Sequence, residues 1–565
     1  MYEKYIEILN PKPIFNLKWY KGIDNYSEGD IENTVLQLIA ENEPGNYSKV
    51  INENFSWSSY YHLTYLRENI LNWYPFELDS EVLEIGCGMG AITNVLCDRC
   101  KKVTAVELSK RRATATLLRC REKENLEIIV GNMNDIQFDK KFDYITLIGV
   151  FEYQGNYTES ENPYVDFLYK IKGLLKPSGK LLIAIENQYG LKYWCGARED
   201  HTGIPFDGIN QYDFSEKKVR TFSKAELEQM VRICGFENTF FYYPMPDYKL
   251  PTVVYSQNYL PKDNNMLNMN YYYIPDNKTL VAQEDKIYHD IIENGVFEFF
   301  ANSFLLECSE AGKVGEVIFA CMSNRRLSEY QIATRFTKDS NVEKFALCLP
   351  DGEQHINEIV NNESELKNRG IKVWQSKYEN SMIRSPFCGA DTVEHALLKM
   401  YRKKDKNSII ATWDKLYDQI LSSSDTVEWQ NNILYSFYPE KNKDENIYGP
   451  ILKKGFLDMI LRNAFLINDD FYWFDQEWTL ENVPAIFIIY RAIIETYSSY
   501  PEMEHYIPIV ELAVRYRLVD AWDDLQLIEN LFSGAVIDID HYVASRKLPG
   551  CSVECCANAI NKILQ

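Results

Sequence analysis

Positive charge is scarce in this chain. Its 60 Lys and Arg face 82 Asp and Glu, a formal net charge of −22. That balance argues against broad electrostatic binding to nucleic acid or to an anionic membrane surface, while leaving room for a local basic groove. Long apolar runs are missing too. None approaches the ~20 residues that span a bilayer, and "AIFIIYRAII" (485–494) reads as a buried element. The opening stretch, "MYEKYIEILNPKPIF", lacks the charged-then-apolar layout of a secretion signal. The 13 cysteines are therefore expected to be reduced thiols in a cytoplasmic protein. Cys97 with Cys100, and Cys551 with Cys555, are close pairs without the four-ligand spacing of a structural zinc site. No low-complexity tail stands out. With 46% hydrophobic and 14% aromatic residues, 565 residues support sizeable cores in two or three domains.

The front half carries one nucleotide-binding signature. A strand, "VLEI" from 82, runs into "GCGMG", a helical stretch "AITNVLCDRC" and a second strand "KVTAVEL" that ends on Glu107. Strand, glycine turn, helix and strand with a terminal acid form the adenosine-binding βαβ unit, the acid lying about 20 residues after the first glycine. Two patterns compete. Gly86, Gly88 and Ala91 satisfy the loose dinucleotide form, whereas Glu84, Gly86, Gly88 and Gly90 satisfy Glu-x-Gly-x-Gly-x-Gly. An acid just before the loop repels a pyrophosphate and suits a cationic amino group. The second pattern resembles the first motif of class I S-adenosylmethionine (SAM) methyltransferases.

Later segments extend that resemblance in order. "LEIIVGNMNDI" (126–136) is a third strand and turn, "FDYITLIGVFEY" (142–153) a fourth strand, and "LLKPSGKLLIAIEN" (174–187) a turn feeding a fifth. "TFSKAELEQMVRICGFENTFFYYP" (221–244) resembles the closing helix and strand. The resemblance implies cofactor contacts from Glu84, Gly86, Cys87, Gly88, Gly90, Glu107, Leu108, Asn132, Met133 and Gly149, with the end of strand four facing the reacting methyl. The insert "NQYGLKYWCGAREDHTGIPFDGINQY" (187–212) has the length and composition of an acceptor pocket or lid. Within it His201, beside Asp200, is a candidate base for an acceptor hydroxyl, with Glu152 and Tyr153 as alternatives. A capping or surface histidine is the competing reading. Strand four lacks the Asn/Asp-Pro-Pro-aromatic motif of enzymes that methylate nucleobase amines, which again counts against nucleic acid. Ahead of the fold, "WSSYYHLTYLRENILNWYPF" (57–76) has a near-helical aromatic stripe in which Tyr61, His62 and Arg67 are available to cofactor or acceptor, packing being the simpler reading.

The rear half reads differently. After a polar, Asn-rich boundary near 256–290 come strands "ANSFLLEC" (301–308), "EVIFACMS" (316–323), "YQIATRFTK" (330–338) and "EKFALCLP" (343–350), then a helix (353–369) and mostly helical sequence. In "GFLDMILRNAFLINDDFYWFDQEW" (455–478), Asp458, Asn463 and Asp475 match in order and spacing the base and the two magnesium ligands of phosphotransferases. "FDQEW" resembles the ending found in aminoglycoside and choline kinases. Against this, no His or Arg precedes Asp458 in the usual way, no glycine-rich phosphate loop is present, and the expected lysine is replaced near Cys348, with Lys344 four residues early. A kinase-like domain with reduced or absent activity is therefore a standing alternative.

The expected architecture is α/β: a Rossmann-like class I methyltransferase domain followed by an α+β kinase-like domain of two lobes. Its boundaries are a helical extension (1–78), the methyltransferase domain (79–255), a linker with a connecting helix (256–297), a small lobe (298–388), a large lobe (389–546) and a tail (547–565). A methyltransferase followed by a kinase-like domain resembles the bifunctional chain terminators of bacterial O-antigen polysaccharides, although no long heptad coiled coil follows. That resemblance implies SAM, with ATP and Mg²⁺ for the rear domain. It also implies a glycan hydroxyl or phosphate as acceptor and docking to glycosyltransferases. A small-molecule natural-product methyltransferase is the alternative.

Overall fold

The computed structural model describes residues 2–24, 26–27, 29–215, 218–262, 269–437 and 447–564. Part of the Asn-rich boundary (263–268) and part of the expected large lobe (438–446) lie outside the described residues. The chain divides into two compact units. The first comprises Met1–Arg325, Ala333–Asp339 and Asp538–Gln565, and the second Arg326–Ile332 and Ser340–Ile537.

The first unit is built on a twisted sheet. Strands β1 (Ile14–Asn16), β2 (Glu81–Ile85), β3 (Lys102–Glu107), β4 (Leu126–Val130), β5 (Phe142–Ile148) and β6 (Leu175–Glu186) run parallel in the order β1-β4-β3-β2-β5-β6. These strands are short β-branched and aliphatic runs rather than alternating ones, because helices cover both faces of a parallel sheet. Val82, Leu83, Val103, Ala105, Ile145 and Leu147 are all fully buried. Local chemistry fixes the helix starts. Ser223 and Glu226 form a reciprocal capping box at Lys224–Ile233, and Ser56 and Ser59 do the same at Trp57–Leu63.

Beyond β6 the structure departs from the expected boundaries. Strands β7 (Asn238–Met245) and β8 (Val253–Ser256) are antiparallel neighbours, yet β7 does not touch β6. Between them lies β9 (Ser303–Ser309), antiparallel to both. This segment was expected to open the small lobe; instead it completes the methyltransferase sheet. All seven of its residues are buried, which only a central strand needs. Strand β10 (Val317–Met322) pairs with β8, and residues 333–337 of β11 (Ile332–Thr337) pair with β10. The stretch called a linker thus sits inside the first unit, with helices Glu284–Glu293 and Phe297–Phe300. The C-terminal segment also folds onto this unit: Asn46 and Asn52 donate to Asp538 (2.9 Å) and Asp540 (2.8 Å).

The second unit has β12 (Asn341–Ala346) antiparallel to β14 (Met382–Pro386), which pairs with β13 (Lys377–Glu379). The helix Glu353–Asn368 packs Ile356 and Ile359 against Ala346 and Ile383. A larger helical core follows around Trp413, Trp473 and the buried helix Ala485–Ser499. Among the described residues no helix is long and apolar enough to cross a membrane.

Candidate functional site

Strand β2 delivers the chain to a turn whose three glycines all have positive φ: Gly86 at 75°, Gly88 at 56° and Gly90 at 81°. At two of them space as well as conformation demands glycine. A Cβ on Gly86 would lie 2.4 Å from Val150, and one on Gly90 would lie 3.1 Å from the Thr116 backbone. Glu107, closing β3, is buried and accepts from Gly88 N (2.8 Å) and Ser109 N (3.0 Å), so its carboxylate is aimed by the backbone. Burial raises its pKa, with Arg112 and the backbone donors pulling it back. Glu84 is buried beside the turn, accepts from the Thr93 hydroxyl at 2.7 Å, and is pushed up to about 7 by burial. A buried acid in that state is stabilised by an incoming cation.

Two cavities adjoin at this turn. The smaller, about 120 Å³, is lined by Gly86, Glu107, Leu108, Asn132, Met133 and Gly149. The larger, about 210 Å³, has Glu84, Gly86, Cys87, Gly88 and Gly149 on its wall together with Glu152, Glu186, Asp200 and His201. Gly90 is the one expected cofactor residue on neither wall; it stands behind the turn against Thr116. Tyr61, His62 and Arg67 line the larger cavity, Arg67 lying over the Tyr61 ring at 4.3 Å. Tyr26 and Arg112 line both cavities and carry no motif that would reveal them. The Arg112 guanidinium lies 4.9 Å over the Tyr26 ring, which meets Tyr153 edge-on at 5.7 Å.

The far wall differs from the expected His201–Asp200 arrangement. Sequence neighbours here point to different partners. Asp200 pairs with Lys192 (2.8 Å) and Lys249 (3.0 Å), whose charges outweigh its burial and hold its pKa below the usual range. His201 instead has Tyr153 OH 3.2 Å from Nδ1 and Glu186 Oε2 3.5 Å from Nε2. Burial pulls its pKa down, but the Glu186 charge prevails and raises it to about 9, so the imidazole is protonated near neutrality. Glu152, one of the alternatives, is buried and pushed up to about 8 by burial and by Glu186. Lys249 also pairs with Glu186 Oε1. Glu186 and Lys249 were missed because nothing in a lone acid at a strand end, or in the turn after β7, marks them.

In the second unit Asp458, Asn463 and Asp475 do come together, but as a tied network. The buried Asp458 carboxylate accepts from the backbone N–H groups of Glu477 and Trp478, both at 2.9 Å, and its carbonyl accepts from Asn463 Nδ2 at 3.3 Å. Asp475, at a φ of 58°, is ion-paired with Lys344, which also meets Glu477 at 3.0 Å. The lysine that counting along the strand misplaced is thus at the aspartate after all. Asp458 is raised to about 6 by burial and by Glu477. Asn463 and Asp475, the expected magnesium ligands, here meet the protein's own groups: the Asp458 carbonyl and the Lys344 ammonium. Among the described residues, the trios of His, Cys or carboxylate groups close enough to share an ion are Glu152–Glu186–His201 and the exposed His289–Asp290–Glu293.

The fold and the glycine cradle define a Rossmann-like, SAM-dependent methyltransferase domain. Consistent with this, the family described as "Methyltransferase domain" matches residues 83–183. Among proteins of similar sequence, the Ubiquinone biosynthesis O-methyltransferase of Rickettsia felis is 24% identical over 155 residues, 27% of this chain and 61% of that protein. The Malonyl-[acyl-carrier protein] O-methyltransferase of Priestia megaterium is 30% identical over 111 residues, 19% of this chain and 38% of that protein. The chain thus spans less than two thirds of either relative. A solved complex between the Haloferax volcanii Trm112 methyltransferase activator and a methyltransferase aligns at 15% identity and a TM-score of 0.30, over 47% of this chain and 94% of that one.

Proposed function

We propose that the chain is a SAM-dependent methyltransferase acting on an oxygen acceptor. The observation that carries this reading is the junction of two cavities at Gly86 and Gly149, with Glu107 in one and the Glu152–Glu186–His201 wall in the other. When bound, SAM supplies a sulfonium methyl that passes to an acceptor lone pair while the S–C bonding electrons return to sulfur. The groups that fit it are Glu107 for the ribose hydroxyls, Glu84 for the cationic amino end, and Asn132 with Met133 beside the adenine. The acidic wall receives the acceptor, His201 takes its proton once the imidazole has released its own to solvent, and positioning supplies most of the rate. The two relatives named above are O-methyltransferases by name, which favours oxygen. Trp57, Tyr61 and Tyr248 make part of the cavity wall aromatic, in keeping with the glycan hydroxyl or glycan phosphate that the polysaccharide resemblance implies. A small-molecule hydroxyl is the alternative. The test is turnover followed as release of the demethylated cofactor. His201→Ala should lower it at least tenfold and leave SAM affinity intact, and unchanged turnover would remove His201 from the mechanism.

For the second unit the tied network favours a kinase-like module without phosphotransfer, used for docking, a glycosyltransferase being the partner class that the polysaccharide resemblance implies. The expected result is no thermal shift with ATP and Mg²⁺, in the wild type or in Asp475→Ala. A shift in the wild type that Asp475→Ala abolishes would establish a second active site.

A further inference from the structure

Three ligand-bearing side chains converge where β5 and β6 end. Glu152 and Glu186 are 1% and 0% exposed; Glu152 Oε2 has no hydrogen-bond donor, and Glu186 Oε2 faces the His201 imidazole. Leaving an oxygen like that of Glu152 dry and unpaired is costly, so native proteins satisfy it with a proton, a water or an ion. Nε2 of His201 lies 3.5 Å from Glu186 Oε2, and one ligand atom from each of the three residues falls within 4.8 Å of the others. For bonds of about 2.1 Å, a separation near 3.5 Å is what two ligands at a tetrahedral angle show. Lys249 occupies the other oxygen of Glu186, which orients the carboxylate and leaves Oε2 facing the histidine. Tyr153 OH stands 3.2 Å from the opposite ring nitrogen, the kind of outer partner that fixes a metal-binding imidazole.

We propose that Glu152, Glu186 and His201 bind a divalent first-row cation at the acceptor end of the methyl-transfer cavity. Three protein ligands leave at least one position for water or an oxygen of the acceptor, the arrangement of catalytic rather than structural sites. The carboxylate pair favours hard cations and the imidazole extends the choice to manganese, iron or zinc. A cation would satisfy the buried Glu152 oxygen that has no donor, the alternative occupant being a proton. The functional side of this inference rests on the methyltransferase reading, but the binding of the ion does not.

The test uses the full chain and Mn²⁺, followed by loss of the free-ion resonance signal, with SAM binding measured calorimetrically on the same samples. The wild type should bind one Mn²⁺ per chain. Glu152→Gln, and His201→Gln should the first variant not fold, should weaken that binding at least tenfold while retaining SAM heat. No Mn²⁺ bound to the wild type, or equal binding by a folded variant, would overturn the site and indicate a shared proton instead. Absence of SAM heat from the wild type would sink the cofactor reading and leave the ion result standing.

Discussion

The two polar clusters of this chain are built on opposite plans. In the first unit, Glu84, Glu152 and Glu186 are buried along a cavity, where Glu152 keeps an oxygen without a donor and Glu186 faces Lys249 and His201. In the second, Asp458 is capped by two amides, and Asp475 is neutralised by Lys344. Both contain carboxylates of raised pKa, yet Glu152 keeps an oxygen that no donor meets, whereas Asp458 is spent on two backbone amides. The comparison teaches that residue spacing identifies a cluster, whereas the partner each carboxylate meets decides what it is free to do.

That contrast can be broken by substitution. The largest effect is expected at Asp458→Ala, which strands two buried amide donors and should cost about 3 kcal/mol or more of stability in urea unfolding of the second unit. A cost under about 0.5 kcal/mol would mean that the carboxylate is not structural. A second effect is expected from pH on the first unit. Glu84, Glu152 and His201 have folded values of about 7, 8 and 9, above their ordinary 4.5, 4.5 and 6.5. Each binds its proton more tightly when folded, so its contribution is complete below the ordinary value and is lost as pH rises through the folded one. Stability should therefore fall steadily as pH rises from 5 to 9. Glu152→Gln, which removes one of the three, should flatten the slope; a stability that rises over that window would contradict the burial of these groups.

The front of the molecule was legible because a glycine turn and an acid at the end of the next strand are dictated by backbone geometry that few other folds demand. Strand β9 was not legible as part of it. "SFLLECS" is apolar whichever sheet it enters, and its partners β6 and β7 are distant in sequence, so no local signal specifies the pairing. That Asp200 and His201 line one cavity without pairing was not legible for the opposite reason: adjacency along a turn says nothing about direction, and the two side chains reach Lys192 and Glu186 respectively. Lys344 was set aside by counting along a strand, and only the ion pair with Asp475 shows where it points.

The central claim is that a carboxylate held by the glycine turn grips the sugar of a sulfonium cofactor. Titration calorimetry of SAM and its demethylated product against the wild type and Glu107→Ala tests it most directly. Binding of both ligands by the wild type, weakened at least tenfold in the variant, is the predicted result. No heat with either ligand, or equal affinity in the two proteins, would contradict it.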